Sequence, residues 1–146
     1  VIVEREKEIT GAVGLSVMSI RPGDSAVAIG IGDLPIAASS HFINLMESAA
    51  IAAIGEFLEV EETTRILSIE LEVLDVVAIG TEIRATATCT EYSGRELGFL
   101  CDIYAGDRHV AHARMKRAAV ERVSFLARTA AQSLNSQGIE EKRIIS

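Results

Sequence analysis

Cysteine is scarce in this chain, and so is unbroken apolar sequence. Two cysteines among 146 residues, Cys89 and Cys101, are too few and too oddly spaced for a disulfide framework or a zinc site. That points to a reducing cytoplasm and to no bound metal. Positive charge is short as well: 14 lysines and arginines stand against 21 acidic residues, a formal net charge of −7. A surface of that sign repels phosphate backbones and anionic headgroups, so nucleic acid and membrane are poor partners. The mixed-charge start, Val1-Ile2-Val3-Glu4-Arg5-Glu6-Lys7-Glu8, lacks the apolar core of a signal peptide. No repeat, low-complexity run or linker divides the sequence, and its length is that of one domain able to bury a core without staples.

What is present is one conspicuous segment. Residues 38–54 read ASSHFINLMESAAIAAI, and between Leu34 and Gly55 Glu47 is the one formally charged side chain. Ser39, Ser40, His41, Asn44, Glu47 and Ser48 interrupt the segment well short of the ~18 apolar residues that a membrane span requires. Pro35 ahead of it, Ser39 or Ser40 as N-cap and Gly55 near its end bracket a helix instead. Its apolar residues point in nearly every direction, which predicts a helix covered on all sides.

Covering strands follow. In Arg65–Val73 (RILSIELEV) Leu67, Ile69, Leu71 and Val73 share one face, and in TEIRATATC so do Ile83, Ala85, Ala87 and Cys89; period two marks half-buried strands. A Ser93-Gly94 turn leads into LGFLCDIYA, and Gly106-Asp107 into HVAHARMKRAAV, completing an antiparallel meander. Val13–Ile20 reads as one more strand before the helix. The expected domain has a core over about residues 13–120, a C-terminal helix over about 121–136 and a loose tail at 137–146. This is an α+β layout, an antiparallel sheet wrapped around a long central helix.

On the residues alone Glu47 has two readings. It is a structural acid satisfied by a neighbouring hydroxyl or amide, or an acid or base tuned by desolvation for work near neutral pH.

The layout is the hotdog arrangement, and the chain resembles one group within it, the thioesterases similar to fluoroacetyl-CoA thioesterase. The resemblance runs over roughly Leu15–Phe125. Its most specific part is GDLPIAASSHFINLMESAA, with VAIGTEIRATATCTEYSGREL a looser match. It implies a site built from a hydroxyl at the start of the helix, a carboxylate eight positions later and a histidine seven positions before the glycine that ends the next strand. Ser39 and Glu47 fill the first two positions as the catalytic pair; the third falls on Val73, so the histidine is missing. The resemblance also implies a homodimer with sites between subunits. Its ligand is a small-molecule acyl-CoA, with coenzyme A present as part of the substrate and no separate cofactor.

Around that pair, Ser40 and Asn44 share a helix stripe with Glu47 at spacings that permit hydrogen bonding in sequence. The amides near Ser40 and His41 are candidates to hold a thioester oxygen. Ser40, His41, Asn44 and Val73 complete the expected substrate-binding set. Asp75 is a candidate substitute for the histidine, or a structural bend; His41, His109 and His112 are the histidines available. Gly30 and Gly32 belong to no complete nucleotide-binding motif. Arg95, Arg108, Arg114, Lys116 and Arg117 either meet coenzyme A phosphates or form a solvated face. The expected function is hydrolysis of a small or medium acyl-CoA thioester, with weak or altered catalysis. The rivals are a hotdog protein binding acyl-CoA or an apolar ligand without turnover, a dehydratase disfavoured by the absence of an Asp/His pair near Leu34–Glu47, and a structural subunit.

Overall fold

The computed structural model describes residues 8–145, with side-chain surroundings up to residue 136; the N-terminal stretch read above against a signal peptide lies, up to Lys7, outside the described residues. In chain order the elements are β1 (Val13–Ser19), a short helix α1 (Ala26–Ile29), the central helix α2 (Ser39–Ile54), β2 (Glu62–Val73), β3 (Glu82–Ser93), β4 (Glu96–Ala105), β5 (Arg108–Glu121) and the C-terminal helix α3 (Arg122–Ile145). Among the described residues no helix is long and apolar enough to cross a membrane.

Alternation in the sequence becomes alternation in burial. Ile83, Ala85, Ala87 and Cys89 on β3, and Leu97, Phe99, Cys101 and Ile103 on β4, are all buried beneath α2 together with Phe42, Met46 and Met115. Each large side chain so covered contributes about 1.5–3 kcal/mol. The two tight turns joining β3, β4 and β5 place Gly94 at φ 63° and Gly106 at φ 64°, backbone that a side chain disfavours.

The sheet is not a simple meander. Its strand order is β1-β3-β4-β5-β2, so only β3, β4 and β5 follow one another as hairpins, while β2 pairs antiparallel with β5 and β1 with β3. Residues 74–81 do not join β2 to β3 as a hairpin but cross the end of the sheet, turning at Ala78–Thr81, where Thr81 N donates to Ala78 O at 3.3 Å and Gly80 has φ 92°. Their backbone is satisfied by neighbours: Leu74 N donates to Val110 O at 2.8 Å, and Val77 O accepts from Ala37 N at 2.8 Å. Inside β2 the register slips between Ile66 and Ser68. The bulge turns Leu67 outward, so the inward row is Ile66, Ile69 and Leu71 rather than the expected row through Leu67.

Three further expectations are corrected. The N-cap of α2 is Ala38, extended and without a side-chain cap, and Ser39 already belongs to the helix. Ala38 N is held by Asp24 O at 3.0 Å, which sets the extended approach without help from a serine. The helix is also not covered on all sides. One layer of sheet covers one side: Leu45, Met46, Ala49, Ala50 and Ala53 are buried, whereas Asn44, Ser48 and Ala52 are exposed and Ile51 is 51% exposed. Finally, α3 runs through residues 137–145, expected as a loose tail. Gly138 costs a helix about 1 kcal/mol but does not stop it, and Glu140, Glu141, Lys142 and Arg143 are good helix formers.

The contact between α2 and β1 rests on one glycine. A Cβ at Gly14 would stand 1.9 Å from Ala49 O and 2.4 Å from Ala53 N, so the strand backbone lies directly on the helix backbone.

Candidate active site

Where the chain enters α2, the loop before the helix and the exit of β2 are stitched together. Besides the Ala37–Val77 bond, Ile36 bridges Ala78, and Ala26 N donates to Ile36 O at 2.8 Å. These contacts close a cleft of about 250 Å³ between Ser39 and Phe42 on α2, Val73, Asp75 and Val76 after β2, and the loop around Ile31–Ile36. The wall is mostly apolar. Its polar members are Ser39, Asp33 and Asp75.

Ser39 and Val73, which the resemblance assigns to one site, therefore line the same cleft. The helix N-terminus opens here too. His41 N donates to Ala38 O at 3.1 Å, while the amides of Ser39 and Ser40 have no acceptor among the described residues, so the positive end of the helix dipole lies at Ser39, on the cleft wall. Asp75 is not free to replace an imidazole: its carboxylate meets Arg108 Nη1 at 2.9 Å, and the same Nη1 donates to Val76 O at 2.6 Å. The Arg108 hydrogen bond, with one from Val76 N, holds the Asp75 carboxyl below its usual range. Arg108 thus clamps the cleft wall.

Glu47 lies elsewhere on the helix, eight residues on from Ser39 and about 12 Å along the axis. Its Oε1 accepts from Arg117 Nη1 at 2.7 Å. Arg117, expected with the other basic residues on a solvated face or beside coenzyme A phosphates, instead has a side chain only 5% exposed. It points inward, fixed to β2 by Nε donating to Thr64 Oγ1 at 2.9 Å and Nη2 donating to Thr64 O at 3.2 Å. The signal was in the strand period: Ala113, Met115 and Ala119 are buried in the same phase, while Arg114 and Lys116 face out. The Ser40–Asn44–Glu47 chain of hydrogen bonds is not among the bonds formed; Glu47 bonds to Arg117, and Asn44 is exposed.

The histidines do not converge on the cleft. His41 turns towards Asp24, with Nε2 3.6 Å from Oδ1. His109 and His112 sit on the outer face of the sheet and share Asp102 Oδ1 at 2.8 and 3.0 Å, with His109 stacked on Tyr104. Neither cysteine serves as a nucleophile near neutral pH, because burial raises the Cys89 thiol and pushes that of Cys101 up to about 12.

Comparison with known proteins bears on this geometry. Residues 20–123 match the sequence profile of FlK, the fluoroacetyl-CoA-specific thioesterase. No curated protein matches the chain by sequence. A crystal structure of the fluoroacetyl-CoA thioesterase FlK superposes with a TM-score of 0.78 at 19% identity, over 84% of this chain and 95% of that one. A Thermus thermophilus hypothetical protein of the thioesterase superfamily gives 0.81 at 18% identity, over 88% and 96%. A hot-dog-like protein from Thermanaerovibrio acidaminovorans gives 0.77 at 16% identity, over 87% and 95%. The architecture is therefore the α+β hotdog fold with an added C-terminal helix.

Proposed function

The chain belongs to the FlK fluoroacetyl-CoA-specific thioesterase family, and on that premise we propose that it hydrolyses the thioester of a small or medium acyl-CoA. The observation that carries this reading is the meeting of Ser39, the first residue of α2, with Val73 in one mostly apolar cleft. The thioester oxygen would take the amides of Ser39 and Ser40, which stabilise charge as it develops there. The Ser39 hydroxyl lies beside the acyl carbon, and Glu47, oriented by Arg117, is the carboxylate that activates water or attacks.

One chain does not bring its own Ser39 and Glu47 into contact. A second copy packed with its α2 antiparallel would carry its Glu47 towards this Ser39, covering the exposed Asn44–Ile51 stripe and the open edge of β2. Light scattering is expected to report a dimer at micromolar concentration; a monomer would overturn this arrangement.

The lining also selects the acyl group. A mostly apolar wall, with the Asp75 charge compensated by Arg108 and Asp33 left at the polar margin, favours neutral, apolar chains over a terminal carboxylate. Each methylene buried adds about 0.8 kcal/mol, so KM is expected to fall roughly fourfold per added carbon until the cleft is full. Thiol release over a panel of acyl-CoAs, with binding measured in parallel, tests the whole reading. Binding without turnover on every member would overturn it.

Valine at position 73 offers neither a proton nor a cation, so slow hydrolysis is expected of this chain. Val73→His should raise the rate, and the gain should vanish in combination with Glu47→Gln, because groups acting as one unit are non-additive. A folded Val73→His protein that binds acyl-CoA with no gain would show that position 73 no longer faces the reacting centre.

A further inference from the structure

Where α3 leaves the sheet, a groove of about 290 Å³ is lined by Arg65, Arg95 and Arg128 together with Phe125, Ala118 and Glu121. Arg65 stands on β2 opposite Ala118 of β5, its guanidinium 5.8 Å from the centroid of the Phe125 ring. Arg95 is placed by its backbone, whose carbonyl accepts from Ala119 N at 2.7 Å. Arg128 follows Phe125 by three residues on α3, on the same side of the helix.

The three guanidiniums have no ion-pair partner among the described residues. Glu121, the one carboxylate in the lining, is already engaged. It accepts from Ser124 N at 2.7 Å, from Val123 N at 3.2 Å and from the Ser124 hydroxyl, and the Ser124 bonds hold its carboxyl below the usual range. Three cations thus gather around one committed anion in a chain whose net charge is −7. Gathered like charges repel, and guanidinium groups match phosphate oxygens through paired N–H donors. Ala118 leaves the floor low, and the Phe125 ring offers an apolar flat surface beside it.

We infer that this groove binds a phosphate-bearing nucleotide, with phosphates on Arg95 and Arg128 and the base against Arg65 and Phe125. The adenosine phosphate portion of coenzyme A and a free nucleoside diphosphate share this chemistry. The site stands apart from the acyl cleft, since the two have no lining residue in common.

Calorimetric titration of the full chain with ADP, coenzyme A and inorganic phosphate tests it, alongside the Arg95→Gln/Arg128→Gln protein and with thermal melting as a check of folding. ADP and coenzyme A should bind, more weakly as salt is added, and both should lose at least tenfold in affinity in the double variant. If that variant melts early, Arg128→Gln alone, at an exposed helix position, replaces it and should still lose severalfold. Competition between ADP and coenzyme A assigns the groove to the substrate's own nucleotide; ADP that coenzyme A does not displace assigns it to a separate one. Absence of ADP binding, or affinities untouched by the substitutions, overturns the inference. Turnover of a phosphate-free acyl-N-acetylcysteamine thioester by the unaltered protein reports on the cleft alone, so either reading can fail without the other.

Discussion

Glu47→Gln is expected to lower thioester hydrolysis by at least a hundredfold, the usual contribution of a positioned acid or base, and to lower stability at the same time. The stability loss follows from Arg117. Glutamine still accepts a hydrogen bond but no longer compensates a guanidinium held inside the sheet by Thr64, and the weakened bond should cost about 1–3 kcal/mol. Because both effects come from one substitution, a second variant separates them. In Glu47→Gln/Arg117→Gln the pair is neutral on both sides, and much of the stability should return. Hydrolysis should not. If activity returns with stability, or if Glu47→Gln alone stays within about threefold of the starting rate, under ~1 kcal/mol, Glu47 is a structural acid.

The same residue tests the assembly. Mixed after unfolding together, Ser39→Ala and Glu47→Gln chains should form heterodimers in which one of the two sites has both groups intact, and activity should reappear from two inactive proteins. A site complete within one chain would give no such recovery.

Gly14→Ala should be the most damaging single methyl in the molecule. Overpacking ordinarily costs 1–3 kcal/mol, but here the obstruction is backbone, Ala49 O and Ala53 N, which cannot rotate aside. A loss of about 3 kcal/mol or more, roughly 10 °C in Tm for a chain of this size, is expected in a melting experiment, if the protein folds. Gly55→Ala is the matched control. Gly55 has helical backbone, φ −54°, and open space around its missing Cβ, so alanine there should stabilise by about 0.5–1 kcal/mol. Equal melting of the two variants would show that β1 does not rest on the helix as described.

These residues also show what was readable in advance. Strands β3, β4 and β5 were legible because each has one wet and one dry face, and Glu47 stood out because a lone charge in an apolar segment needs a reason. The strand order was not, since period two says which face a strand buries but not which neighbour it pairs with; the crossing at residues 74–81 is a tertiary decision. The slip at Leu67 was hidden for a related reason, as an apolar residue turned outward by a bulge looks like any other in the row. The inward turn of Arg117 was legible in its phase with Met115 and Ala119, which its charge masks. Gly14 could not have been found, for its role is set by a helix backbone more than thirty residues away.

The strand order has a kinetic consequence. β3, β4 and β5 meet their neighbours through two short turns, but β1 finds β3 with Val13 opposite Thr88, and β2 finds β5 with Glu62 opposite Glu121. Contacts between such distant parts of the chain carry a larger loop-closure cost and form late. Thr64, which steadies Arg117, and Val73, which walls the cleft, both ride on the late edge strand β2. Opening of that strand alone would dissolve the site while the three-stranded centre stayed folded, so amide exchange along β2 is the measure of how long the site persists.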